Sequence, residues 1–253
     1  MAPVLFRLWG FEVESFWVFV FLGFAAATWA GYGELRRHGL DPSLVYDLVL
    51  YAYVGGLVGA RLFLVFTEWD VVRTDPWNFL LSGSGWVWQG GLLGGTLAVL
   101  FAVRRLGLPP VAVADAAGLA LPLGQAVGRI GCQLAGDGDY GVPSDLPWAM
   151  SYPRGVVPTF ERVHPTPIYE SLGLFFLFLW LRRRRGREPA GALFGWYLVG
   201  SGILRWLVEF VRRNPAVFLG WTLAQWLSLL SVGVGLLWLS WVRAAGNVRA
   251  ADR

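Results

Sequence analysis

Arginine and carboxylate side chains interrupt runs of residues otherwise suited to lipid, and such groups persist there mainly where they bind or react with something. Arg129 closes one apolar run. The segment it opens, residues 128–167, carries Asp137, Asp139, Asp145 and His164 before the next apolar run begins. A guanidinium is a planar fork of donors that matches a phosphate in bidentate fashion. The alternative for Arg129 is a side chain that merely reaches the headgroups. Gly128 and Gly131 on either side favour a turn that presents it to a ligand. Farther on, Arg205, Glu209 and Arg212 are spaced to share one helical face, where Glu209 can pair with both arginines. That triad either ties helices together or holds an anionic headgroup. His164, ahead of Pro165 and Pro167, suits a base or a headgroup donor near neutral pH, or a helix cap. No second histidine stands near it, so a histidine-pair metal site is not expected. The Gly136-Asp137-Gly138-Asp139 stretch lacks the other ligand positions of a calcium loop and reads as turn chemistry.

These groups need a scaffold, and the rest of the chain supplies one. Of 253 residues, 56% are hydrophobic and 15% charged. With a mean hydropathy of +0.52, that composition lies in the membrane class. A bilayer crossing takes about 20 apolar residues. Windows at 13–32, 44–67, 84–103, 110–127, 166–181, 190–211 and 218–242 meet that need, which predicts an all-α membrane protein of seven transmembrane helices. Residues 1–253 then form a single integral membrane domain, with the polar segment 128–167 exterior. The first window is too long, and too poor in upstream positive charge, for a removable signal peptide. Arginine follows the first, third, fifth and seventh windows, so these ends share the cytoplasmic side and the N-terminus lies outside. The net charge of +4 sits beside apolar spans, which suits anionic lipid headgroups and excludes nucleic acid as the partner. All 21 basic residues are arginine, so a retinal Schiff base cannot form. Cys132 is the single cysteine and leaves no intrachain disulfide. Gly55 and Gly59, with six glycines in residues 83–95, predict close helix packing or broken backbone beside a cavity.

Several short motifs, in order along most of the chain, resemble the prolipoprotein diacylglyceryl transferase family. They are Gly59-Ala60-Arg61-Leu62, the Gln89-Gly90-Gly91-Leu92-Leu93-Gly94-Gly95 run, Gly128-Arg129-Ile130-Gly131 with Gly136, and Asp145 to Met150. His164-Pro165 with Tyr169-Glu170, Arg205 with Glu209-Phe210 and Arg212, and Gln225 with Ser228 complete the set. The resemblance implies transfer of a diacylglyceryl group from phosphatidylglycerol to the lipobox cysteine of a preprolipoprotein, in the bacterial cytoplasmic membrane, without cofactor or metal. It makes Arg129 the signature arginine that holds the lipid phosphate and Arg205, Glu209 and Arg212 a second essential cluster. Arg61, Gly131 and Cys132 would then line the substrate site. Asp137 takes the place of an acid usually written as Glu. The chain departs from the family where Gln89 replaces a histidine proposed as the thiol's base, where Cys132 replaces Asn, and where Phe16-Trp17 replaces a Tyr-Gly pair. Glutamine accepts no proton at neutral pH. The base therefore falls to Asp137 or His164, or the thiolate forms in the field of the arginines, with Gln89 still in the catalytic position. Two other readings remain from the residues: transfer to a different acceptor, and lipid binding without turnover.

Overall fold

The structure, a computed structural model, describes residues 1–8, 10–67, 69–74 and 88–251. Eight helices among these residues carry the fold. They are α1 (Ser15–Arg37), α2 (Leu44–Thr67), α3 (Trp69–Thr74), α4 (Trp88–Arg105), α5 (Pro110–Ala135), α6 (Thr166–Arg184), α7 (Ala192–Glu209) and α8 (Leu223–Ala251). Each window expected from the sequence falls on one of them; α3 is an addition. Residues 84–87 of the third window, together with Glu68, Gly83 and Gly85, lie outside the described residues. Four helices, α1, α2, α5 and the Leu223–Ala245 part of α8, are long and apolar enough to cross a membrane. The other three are shorter, at 18 or 19 residues. Phe21, Leu97, Phe176 and Leu237 stand exposed on helix flanks, as expected where the solvent is hydrocarbon.

Packing sets α5 at the centre, against α1, α6 and α7, with α2 on α4 and α7 on α8 as flanking pairs. In lipid, close backbone approach replaces hydrophobic driving force. The α2–α4 pair shows it: a Cβ on Gly94 would lie 2.3 Å from the Gly55 carbonyl oxygen, and one on Gly59 2.3 Å from that of Gly90. The glycine pattern therefore serves tight packing rather than broken helix at the described positions.

Three antiparallel hairpins cover the ends. The N-terminal arm is β1 (Val4–Leu8) paired with β2 (Phe11–Glu14). In the polar segment β3 (Met150–Tyr152) pairs with β4 (Thr159–Val163). Between α7 and α8, β5 (Ala216–Phe218) pairs with β6 (Trp221–Thr222), so the last helix starts at Leu223 and not at residue 218. Thr222 and Gln225 form a capping box there. The Gln225 amide donates to Thr222 Oγ1 at 3.2 Å, and the Thr222 amide donates to Gln225 Oε1 at 3.0 Å.

The arginine-bearing ends of the helices do gather at one end of the molecule. Arg185 donates to Glu34 Oε2 at 2.7 Å, joining the C-terminal ends of α1 and α6. Asp115 at the start of α5 accepts from the Gly191 and Leu193 amides at the start of α7.

Candidate functional site

At the opposite end, α5 continues to Ala135, so Arg129, Gly131 and Cys132 are helical rather than part of a turn. Of the two glycines that suggested a turn, Gly131 serves packing instead. A Cβ on Gly131 would lie 2.8 Å from that of Phe19, so this glycine lets α1 approach. The helix stops at Gly136, whose left-handed φ of 60° frees the chain to turn while its amide donates to the Cys132 carbonyl at 2.9 Å. Residues 136–165 then fold back over the helix end. Tyr140 and Tyr152 stack with ring centres 4.9 Å apart, and the Tyr152 hydroxyl donates to Gln133 Oε1 at 2.9 Å. Burial pushes the Tyr152 hydroxyl pKa up to about 12, so it stays a donor. The Gly141 amide bonds the His164 carbonyl and the Val142 amide that of Val211, each at 2.8 Å, which ties the segment to the end of α7 as well.

This fold-back delivers Asp139 to the arginines. Arg129 Nη1 pairs with Asp139 Oδ2, and Arg212 Nη2 pairs with Oδ1 at 2.5 Å. Burial opposes the charge on Asp139, but Arg129 and Arg212 outweigh it and hold the carboxyl below its ordinary 3.8. Thr166 Oγ1 donates to the Asp139 carbonyl. From α6, the buried Glu170 reaches Arg129 Nε at 2.5 Å, Arg205 Nη1 at 3.1 Å and Arg212 Nη1 at 3.5 Å. Glu209 pairs with Arg205 at 2.6 Å, one helical turn away as expected. It also lies 3.8 Å from Arg212 Nε, but α7 ends at Glu209, so Arg212 sits beyond the helix, bridged to Gly141, and not on the helical face the spacing suggested. The other oxygen of Glu209 accepts from Thr222 Oγ1 and Asn214 Nδ2, both at 2.7 Å. Three guanidiniums thus meet three carboxylates. Arg212 Nη1 is buried with no hydrogen-bond acceptor among the described residues, a donor left over. Arg129 and Arg205 keep 29% and 28% of their side-chain surface exposed, so the network can be reached from outside.

Cys132 and Asp137 border it. Arg129 Nη1 lies 3.9 Å from Cys132 Sγ, and Cys132 Sγ lies within 4.8 Å of an Asp137 carboxylate oxygen. Burial, then the neighbouring charge of Asp139, raises the pKa of Asp137 above its ordinary 3.8. His164 stands one layer away. Its Nδ1 is 3.2 Å from the Tyr169 hydroxyl, which also accepts from Trp148 Nε1 at 2.8 Å. Gln89 at the start of α4 and Arg61 in α2 belong to the neighbouring helix pair, away from the α5, α6 and α7 elements that build the network. Cys132, Asp137 and Asp139 place three donor atoms within 4.8 Å of one another. The positive charge that set wants already comes from Arg129 and Arg212, so a resident cation does not fit it.

Comparison with known proteins decides the class. A family profile described as prolipoprotein diacylglyceryl transferase matches residues 3–241. The chain belongs to the prolipoprotein diacylglyceryl transferase family. Relatives named phosphatidylglycerol–prolipoprotein diacylglyceryl transferase include one from Methylobacillus flagellatus, 33% identical over 94% of this chain and 94% of its own length. One from Synechococcus elongatus is 31% identical, covering 96% of this chain and 85% of the relative. One from Clostridium tetani is 28% identical over 93% and 96% respectively. Family membership makes the chain a transferase. Of the positions singled out in the sequence, the fold unites Arg129, Arg205, Glu209 and Arg212, with Cys132 and Asp137 alongside. Asp139 and Glu170, which join the two halves, went unread. Glu170 was visible only as the last residue of the His164 to Glu170 motif, and Asp139 only as the second acid of a glycine-rich turn.

Proposed function

We propose that this chain transfers the diacylglyceryl group of phosphatidylglycerol to a lipobox cysteine thiol, with Arg129, Arg205 and Arg212 gripping the lipid phosphate. The observation that carries the residue assignment is the meeting of Arg129 from α5 with Arg205 and Arg212 from the α7 end on the shared carboxylates of Glu170 and Asp139. The acceptor sulfur attacks C3 of the glycerol, the C3–O bond breaks, and glycerol-1-phosphate leaves with the bonding pair. Charge grows on the leaving phosphate, so preorganised guanidiniums in a water-poor site lower the barrier. The buried spare donor, Arg212 Nη1, is available to that growing charge.

The thiol proton goes to Asp137, whose burial raises its affinity for a proton. From there it passes to water. His164 and its Tyr169 partner position the entrance to α6, and Gln89 takes no proton. The protein acts as one membrane domain over residues 1–253, crossing the bacterial cytoplasmic membrane seven times. Its N-terminus and residues 136–165 lie outside and its arginine-rich end faces the cytoplasm.

The test uses the full chain in nanodiscs with labelled phosphatidylglycerol and a lipobox peptide. Label should move to the cysteine, and Arg129→Ala should lower kcat by about 10²–10³-fold, the usual effect of deleting one charge-stabilising donor. The wild-type rate should rise with pH along a limb above the ordinary aspartate range, and Asp137→Asn should abolish that limb. Folded protein without transfer, or transfer unaffected by Arg129→Ala, would overturn the assignment.

A further inference from the structure

Away from the network, α1 and α6 each lie against α5, and a groove of about 150 Å³ opens between them at the arginine-rich end. Its floor is apolar and buried, made by Ala30, Leu119 and Phe178. Its walls are Trp29 and Tyr32, and its rim is Arg182 and Arg185. An apolar space of this size takes a benzene-sized group, so several methylenes of an acyl chain fit it. Leu119 is ten residues from Arg129 on α5, about 15 Å along the axis. Phe178 is eight residues past Glu170 on α6, about 12 Å. The groove is therefore separate from the transferase site and opens toward the opposite leaflet.

Its charge is unbalanced. Arg182 stacks over Trp29 with its guanidinium carbon 5.4 Å from the ring centre, and it has no carboxylate partner among the described residues. Arg185 donates to Glu34 through Nε and to the Gly33 carbonyl through Nη2, which leaves Nη1 for another acceptor. Glu34 is already shared, because Arg37 pairs with the other oxygen at 2.6 Å. Asp115 lies farther in and bonds the Gly191 and Leu193 amides, with His38 at 3.2 Å and Arg37 at 3.9 Å. Arg37 and Arg185 thus share Glu34, with Asp115 held mainly by backbone amides, and the charge of Arg182 is the one left in surplus among the described residues. An apolar floor below a rim that carries one arginine charge in surplus matches one class of ligand, a lipid with an anionic phosphate headgroup. A free phosphate would leave the floor empty, and a neutral lipid would leave the arginines unanswered.

We infer that this groove binds one anionic phospholipid of the arginine-side leaflet, its phosphate on Arg182 and Arg185 and its chain along Leu119 and Phe178. The lipid fills the space between α1 and α6, where the described polar links are the bonds of Arg185. The site does not depend on the transfer reaction.

The experiment places the full chain in phosphatidylcholine nanodiscs containing a small fraction of phosphatidic acid with a photoreactive group in its acyl chain. Adducts are mapped by peptide mass spectrometry. Labelling should appear on the peptides of Trp29 to Gly33 and Phe178 to Arg185. Unlabelled phosphatidic acid should compete it away, and glycerol phosphate should not. Arg182→Glu, which reverses a charge outside the transferase site, should lower that labelling by about tenfold and leave labelling near Arg129 and transfer activity unchanged. Should Arg182→Glu fail to fold, Arg182→Gln and Trp29→Leu give the same comparison. Equal labelling by a photoreactive phosphatidylcholine, or labelling insensitive to these substitutions, would mean ordinary boundary lipid and would overturn the proposal. Loss of transfer with groove labelling intact would instead count against the function proposed above.

Discussion

Glu170→Gln isolates the joint on which the network depends. Glu170 is 3% exposed, and its two oxygens face Arg129 at 2.5 Å, Arg205 at 3.1 Å and Arg212 at 3.5 Å. The substitution keeps size and one acceptor oxygen but removes the charge. Three guanidiniums are then left to two carboxylates in a buried setting. Breaking a buried ion pair by removing one partner costs about 3–5 kcal/mol. The remaining acceptor favours the lower end, about 3 kcal/mol. For a chain of this size each kcal/mol moves Tm by roughly 2–4 °C, so the drop should be about 6–12 °C. The measurement is thermal unfolding followed by tryptophan fluorescence in one detergent, beside Glu161→Gln as a control. Glu161 pairs with Arg213 at 3.2 Å but is 66% exposed, and surface pairs of that kind contribute under about 1 kcal/mol. Adding phosphatidylglycerol should recover part of the Glu170→Gln loss, since its phosphate supplies the missing negative charge. If Glu170→Gln melts with the Glu161→Gln control, the arginines do not rest on Glu170 and the reasoning fails.

Three further outcomes follow from the same geometry. The carboxyl of Asp139 is held below 3.8, so its stabilisation is full above that pH and is lost as pH falls through the lower folded-state value. The stability gap between wild type and Asp139→Asn should therefore be constant near neutrality and close below pH 3.8 in acid-unfolding curves. Gly59→Ala places a methyl 2.3 Å from the Gly90 carbonyl oxygen, and forcing α2 from α4 should cost about 1–3 kcal/mol in the same melts. Thr222→Val removes both the cap of α8 and a donor to Glu209, which should cost about 2–3 kcal/mol and raise KM by loosening Arg205.

Helices were the legible part of this chain, because about 20 apolar residues in lipid have few other ways to satisfy their backbone. Arg205 and Glu209 were legible for a related reason: a fixed helical period stacks them one turn apart whatever packs against them, whereas Arg212 lies past the end of α7 and not on its face. Arg129 was recognised but its backbone misread. Glycine beside it looked like a turn, whereas Gly131 makes room for Phe19 inside a continuous helix. The partners of the arginines were hidden because they depend on distant pairing in an irregular segment. Asp139 meets Arg129 ten residues earlier and Arg212 seventy-three residues later, and no local pattern separates it from Asp137. The triad alone carries a surplus positive charge, which suggested a ready anion site. In the fold Asp139 and Glu170 cancel that surplus.

That cancellation bears on selectivity. A cradle whose charges already balance gives a passing inorganic anion little to gain, since all but one of the donors it would need are held by a carboxylate already in place. A molecule anchored in the bilayer arrives with additional attraction from its chains and is present at high local density. Self-neutralised arginines would thereby act as a filter, admitting a tethered phosphodiester and turning away the abundant phosphate of the surrounding water.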